Sequence, residues 1–348
     1  SYTYNPNDLE WVYNDFFSSD LTYRENIYSW YIGSSNKISS SLSLKSGLRL
    51  EYSTSHLDIK KEREQIDRDN LFVSPYLSLN KALSSDRHLS FLVSRRISRP
   101  TYPQINPFIN MIDKSVYETG NRDIKPEISN RVEAMFNGFK DKFSYNASLY
   151  YNWVDDYITQ IATLYDTDAL MLTYENGDCS RKLGSDISIR YKPWSYMEIN
   201  VGSSLFLGEN TGVVNNIDLY GRFISYSGNL SLTFIPSKKD QIIIQSFYTS
   251  PITYPQFESK EVYYTDISYK RDLIKNRISM SATITDIFNS RVWDVKTDNA
   301  VYRLTNRSKN ESRAIWLGIS FNLNRKAASR ESKDSGDSGF TNMIRLGY

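Results

Sequence analysis

Residues 95–108 read RRISRPTYPQINPF, and residues 120–133 read GNRDIKPEISNRVE. Pro100, Pro103 and Pro107 lack the N–H that a sheet ladder needs, so the chain leaves a strand after Arg99. Gly120–Asn121 makes a turn. Lys125–Pro126 then directs the chain back to extended structure, with a new strand opening at Glu127. The stretch is therefore one strand, one long excursion and the next strand.

The flanking sequence alternates with a period of two. Phe143, Tyr145, Ala147, Leu149 and Tyr151 share one face, and Ser144, Asn146, Ser148 and Tyr150 the other. Ile278, Met280, Ala282 and Ile284 stand against Ser279, Ser281, Thr283 and Thr285. Ile315, Leu317, Ile319, Phe321 and Leu323 stand against Trp316, Gly318, Ser320 and Asn322. The stretch 42–52 sets Leu42, Leu44, Leu48, Leu50 and Tyr52 against Ser41, Ser43, Gly47, Arg49 and Glu51. Such alternation specifies strands. In several of them the polar face is small and hydroxylic, whereas a soluble sheet would more often carry Lys, Glu and Arg there.

These segments run to about ten residues or more, the length of a tilted membrane-crossing strand. About fourteen or fifteen are expected, beginning near residues 23, 41, 71, 87, 128, 142, 169, 182, 196, 223, 240, 260, 276, 292 and 312. Short turns are expected at Ser84–Asp86, Lys140–Lys142, Pro193–Ser195, Ser237–Asp240 and Lys275–Asn276. Longer links are expected at 55–70, 98–126, 155–168 and 208–221. This alternation of short and long connections points to an all-β, antiparallel transmembrane β-barrel.

Composition agrees. The 348 residues carry 42 Lys+Arg against 40 Asp+Glu, a formal net charge of +2, which excludes a strongly basic nucleic-acid binder. With 40% hydrophobic and 14% aromatic residues, the chain is not intrinsically disordered. The aromatics are 27 Tyr, 16 Phe and 6 Trp, and the amphipathic Tyr suits a membrane–water boundary. No apolar run reaches 18 residues, so a membrane crossing must use a closed barrel. Residues 1–20 are polar and acidic and do not read as a signal peptide.

A single cysteine, Cys179, excludes an intrachain disulfide. His56 and His88 fall at a strand end and a strand start, as solvent- or lumen-facing residues and not a metal pair. No nucleophile elbow, phosphate loop, metal motif or dinucleotide fingerprint is present, so no catalytic residue, metal or cofactor is expected and the chain reads as a non-enzyme. The mixed charges of 58–69 suit a solvated external loop, with calcium binding as an alternative. Tyr102, Phe108, Tyr117, Tyr165, Tyr254 and Phe257 are expected ligand contacts, because aromatics in long loops anchor ligands. The competing reading of the tyrosines is an interfacial girdle.

The 95–133 segment resembles the strand–loop–strand signature of TonB-dependent outer-membrane transporters, especially the Bacteroidetes-type outer-membrane β-barrel family. That pattern runs approximately R-x-I-x-R-P, then L/I-N-P-F, then G-N-P-x-L-x-P-E. Arg96, Ile97, Arg99, Pro100, Ile105, Asn106, Pro107, Phe108, Gly120, Asn121, Ile124, Pro126 and Glu127 match it, and Arg122 departs where the family usually has Pro. Asp286, Ile287, Phe288 and Asn289 are similar to the D-I-F-N element before the last strands of such barrels. Ala314–Asn324 resembles the final strand read by the assembly machinery.

The resemblance implies a bacterial outer-membrane receptor importing a nutrient such as a siderophore, glycan or peptide. It implies a 22-stranded barrel around an N-terminal plug, energised by the TonB complex. Residues 1–325 are then a barrel portion, with the plug and TonB contacts in sequence outside this chain, or a smaller barrel of about fourteen strands. Outer-membrane lipid and a surface lipoprotein are further expected partners, and nucleic acid is not. Residues 326–348 read as a polar tail. Two other classes stay open: a passive or structural barrel (porin, adhesin or secretion component), and a soluble β-rich binding protein.

Overall fold

The computed structural model describes residues 2–5, 10–13, 20–60, 63–166, 169–253, 256–274, 277–298 and 303–322. Its frame is a 13-stranded antiparallel sheet. In chain order the strands are β1 (Leu21–Ser39), β2 (Leu42–Ile59), β3 (Glu64–Ser84), β4 (Arg87–Ser98), β5 (Glu127–Lys140), β6 (Phe143–Asp155) and β7 (Cys179–Trp194). β8 (Met197–Thr211), β9 (Gly221–Ser237), β10 (Asp240–Thr249), β11 (Val262–Ile274), β12 (Ile278–Ile284) and β13 (Ile315–Phe321) complete it. Each strand pairs with the next, so the wall is one continuous meander, and among the described residues β1 and β13 do not pair with each other.

The register sorts side chains onto two faces. Ala147 stands opposite Ile187, Leu149 opposite Ser185, and Tyr151 opposite Leu183. Leu183 faces Leu207, and Leu207 faces Ile224. The large apolar residues of this face are exposed; Ile187, Leu205, Leu207 and Ile224 are each well over a third accessible, and Leu317 reaches 81%. The apolar faces do not meet in a dry interior, which removes the soluble alternative. Both ends of this face carry aromatic pairs. Phe143 stacks on Tyr191 at 4.1 Å and Trp194 on Tyr196 at 5.6 Å near the short turns. Tyr28–Tyr52, Tyr151–Trp153 and Tyr226–Tyr248 mark the other end. From Phe143 to Tyr151 is about 26 Å along the strand, or about 20 Å of height at the usual tilt, close to the ~25 Å apolar band of an outer-membrane barrel. These aromatic pairs stand where an interfacial girdle would lie, and most of their rings are on wall strands.

Short turns (40–41, 85–86, 141–142, 195–196 and 238–239) lie at one rim, and the connections at the other rim are 60–63, 99–126, 156–178, 212–220, 250–261 and 285–314. The expected turn at Lys275–Asn276, the tail 326–348, and Leu323 and Asn324 of the last motif lie outside the described residues. Two of the expected wall strands belong elsewhere. Ala169–Asn176 and Trp293–Asp298 are strands, but of two separate four-stranded sheets at the long-connection rim. The link expected at 55–70 is also shorter. β2 and β3 stay in register through Leu57↔Ile66 to Ile59↔Glu64, because Leu57 and Ile59 are buried between the charges and hold the ladder together.

Candidate functional site

The excursion after β4 folds against the inward side of the extended β1–β3 region. Helix α1 (Tyr102–Ile105) begins it, with the Gln104 side-chain oxygen accepting the Thr101 N–H at 2.8 Å. Ile105 and Ile124 from the excursion line one small cavity with Leu57 and Ile66 from β2 and β3. Ile105, Ile124 and Leu57 are buried, so this lobe supplies the dry apolar core that the wall lacks. Prolines 100 and 126 stand at its entry and exit and line the same cavity.

Charged groups seal the lobe. Arg99 Nη2 donates to Glu51 at 2.9 Å and its Nε lies 3.2 Å from Glu25. Arg49 Nε adds a contact to Glu51 at 2.8 Å. From β3, Arg68 donates to the carbonyls of Arg122 and Ile124 and approaches Asp123 at 3.3 Å. Arg122 pairs with Glu64. The Gly120 N–H donates to the Asn106 carbonyl at 2.7 Å, and an added Cβ at Gly120 would collide with backbone of Asn106 and Pro103. The side chain of Asn106 accepts the Phe108 N–H at 3.3 Å. Glu127 accepts the Ile158 N–H at 2.7 Å.

Beside the lobe lies a four-stranded rim sheet of Asn110–Asp113, Val116–Glu118, Ile158–Asp166 and Ala169–Asn176. Asn121 Nδ2 donates to Glu175 at 3.0 Å and the Lys125 N–H to Asn176 at 2.8 Å, tying the two together. An open depression of about 350 Å3 separates them, lined by Pro107, Gly120, Asn121, Arg122, Asp123, Thr173 and Glu175. Burial pushes the Glu175 carboxyl above its ordinary range against the opposing amides of Asn215 and Asn121. Glu118 accepts from Tyr174 at 2.9 Å and Gln160 at 3.1 Å, and burial, then Glu118, pushes the Tyr174 phenol up to about 12. The Gln256 amide bonds both the N–H and the carbonyl of Ala162, at 2.8 and 3.3 Å, docking the neighbouring connection on the sheet.

Of the expected ligand contacts, the structure brings together Tyr117 and Tyr165, whose rings meet at 5.2 Å on this sheet. Tyr102 is exposed on α1, Phe108 and Phe257 are half-buried, and Tyr254 lies outside the described residues. The D-I-F-N element organises the connection between β12 and β13. Asp286 is 1% exposed and accepts from Ser312 Oγ at 2.5 Å, the N–H groups of Ser290 and Arg291 at 2.8 and 3.1 Å, and Lys309 at 3.3 Å. Burial pushes its carboxyl up, but the Ser312 hydroxyl, the two N–H groups and Lys309 prevail and hold it at about 2. Asn289 takes a left-handed φ of 54°, while Phe288 is exposed. Arg68, Gln256, Lys309 and Ser312 were not expected to matter; no local pattern distinguishes them from other polar residues.

A family model described as an outer membrane protein beta-barrel family matches residues 1–322. No curated protein matches the chain. Among solved structures, the chain is similar to the copper transporter OprC at a TM-score of 0.67 and 14% identity, covering 92% of this chain and 51% of that one. The ferric yersiniabactin uptake receptor FyuA from Yersinia pestis gives 0.59 and 13%, covering 86% and 46%. The siderophore receptor PirA from Pseudomonas aeruginosa gives 0.55 and 12%, covering 77% and 55%. The chain spans about half the length of these structures.

Proposed function

The chain belongs to the outer membrane protein β-barrel family and sits in the outer membrane, and from that premise we propose that it forms wall and outer rim of a receptor that imports a nutrient ligand. In this reading the long-connection rim faces the exterior. The rim sheet and the lobe hold the ligand, a plug gates the lumen, and the TonB complex supplies energy. Residues 1–325 are the barrel portion and 326–348 a polar tail. Siderophore, glycan and peptide are the ligand classes, and a surface lipoprotein is a further partner.

The observation that carries the reading is the depression between lobe and rim sheet, with its amides, carboxylates and arginine, on the same rim sheet that holds the Tyr117–Tyr165 pair. It is a polar recognition surface at one end of a lipid-held wall, and the ring pair on the same sheet would supply an aromatic anchor. Similarity to structures named as copper and siderophore receptors supports the same reading. The mechanism asks for no covalent step: the wall is a frame, and the rim binds and orients.

Cells making the whole protein are compared with a deletion strain for uptake of iron-loaded siderophores, cupric ion, labelled oligosaccharides and labelled oligopeptides, with and without a protonophore. Uptake of one probe class that needs both the protein and the proton gradient is expected. Uptake that survives the protonophore makes the barrel passive, and no difference between strains for any probe removes the receptor reading.

A further inference from the structure

Resting on the proposed orientation, with the long connections outside, we infer that the outward faces of β7, β8 and β9, just beyond the aromatic belt nearer those connections, bind a phosphorylated lipid headgroup of the outer leaflet through Arg181 and Arg222. The register places the residues. Leu183, Leu207 and Ile224 form one apolar cross-strand row, and two residues nearer the long connections Arg181, Glu209 and Arg222 form the next row on the same face. Trp153 stands beside Arg181 on β6 and packs on Tyr151 of the belt. The wall thus changes from aliphatic to cationic in one step, at the height where headgroups replace acyl chains.

Both guanidiniums converge on one carboxylate, Arg222 Nε at 2.6 Å and Arg181 Nη1 at 3.3 Å from Glu209. Glu209 aligns them and neutralises one charge, leaving a net positive pair. Each arginine carries five N–H donors in a fixed fork, so most donors remain for a tetrahedral anion. The Arg222 side chain is 73% exposed and Arg181 48%. The equivalent outward rows of β1–β3 differ: Arg24 and His56 are matched there by Asp67 and Asp69, with His56 bonded to Asp67 at 2.7 Å. At this height the β7–β9 face is therefore net positive where the β1–β3 face is not. Its continuity with the lipid-facing belt selects a lipid phosphate over a soluble one.

The test uses the full-length protein in nanodiscs of phosphatidylcholine carrying either bis-phosphorylated lipid A or its dephosphorylated form, with retained lipid counted by native mass spectrometry. The wild type should retain the phosphorylated form and not the other, and millimolar inorganic phosphate should not displace it. R181A/R222A should lower retention about tenfold while keeping the heat-dependent gel shift of a folded barrel. R222A alone, at the more exposed site, should move retention in the same direction, and E209Q should not reduce it. Equal retention by wild type and R222A, equal retention of dephosphorylated lipid A, or displacement by inorganic phosphate each overturn the inference.

Discussion

Arg99 joins three strands through one guanidinium: leaving the end of β4, it donates to Glu51 on β2 at 2.9 Å and sits 3.2 Å from Glu25 on β1. Glu51 is nearly inaccessible. Without Arg99, part of its charge is stranded in a site closed to water. Arg99→Ala should therefore cost about 3–5 kcal/mol, the penalty of breaking a buried pair. Arg99→Lys should recover only part, since an ammonium cannot serve both carboxylates in the same geometry. The midpoint of urea unfolding in detergent reads this, and an unchanged midpoint for Arg99→Ala would remove the lobe as a stabilising element.

The two faces of β7 should respond oppositely to charge. Ile187 lies within the apolar band and Ser188 faces the lumen. Ile187→Arg should destabilise the barrel by about 2–4 kcal/mol, as cations do near a bilayer midplane, and Ser188→Arg should be nearly neutral. Folded yield in the outer membrane reports the difference. Equal effects at both positions would mean that the faces are assigned wrongly.

Asp286 links the connection between β12 and β13 to pH. Its folded pKa of about 2 lies below the unfolded value of about 3.9. Its contribution, about 2.5 kcal/mol, is therefore present above pH ~4 and lost as pH falls toward 2. Hydrogen exchange across 285–314, taken relative to each amide's intrinsic rate at the same pH, should accelerate over that window in the wild type. In Asp286→Asn it should be fast already at pH 6 and lose the acid step; an acid step that persists in that variant would assign the titration to another group.

Gly184 lies under the ring of Tyr150, where an added methyl would collide with the phenol. Gly184→Ala should cost about 1–3 kcal/mol through that clash. Combined with Tyr150→Ser the two costs should not add, because the second change opens the space that the first needs. Additive costs in thermal melts would place the strain elsewhere.

Tyr165→Ala should lower uptake of the transported probe by about tenfold while leaving barrel stability unchanged, since truncating an anchor at a binding surface costs about 1–2 kcal/mol. Full uptake by this variant would take the Tyr117–Tyr165 pair out of the ligand site.

Strands and their faces were legible in the sequence, because a period of two survives wherever one side meets lipid. The sheet to which a strand belongs was not. Leu170 and Leu172 alternate with Met171 and Thr173 much as wall residues do, yet they pair with 158–166 and 116–118 outside the wall. The motif announced its breaks through prolines, but its role depends on Arg68, which sits in a mixed-charge run that resembles any solvated loop. Only the fold shows that Arg68 faces inward and bonds the carbonyls of 122 and 124. Likewise, Asp286 was visible as part of a short motif, while its partners Lys309 and Ser312 lie more than twenty residues away with no spacing to connect them.

The Gln256 contact has a consequence for life at a crowded surface. Strand Ile158–Asp166 borders its sheet, so its outer row of amides and carbonyls is a template on which a foreign strand could start to zip. A borrowed carboxamide fills one slot at Ala162, and the Glu127 carboxylate fills another at Ile158. Two side chains thus blunt one margin on which neighbouring copies could stick together, without shortening the strand or placing a proline in it.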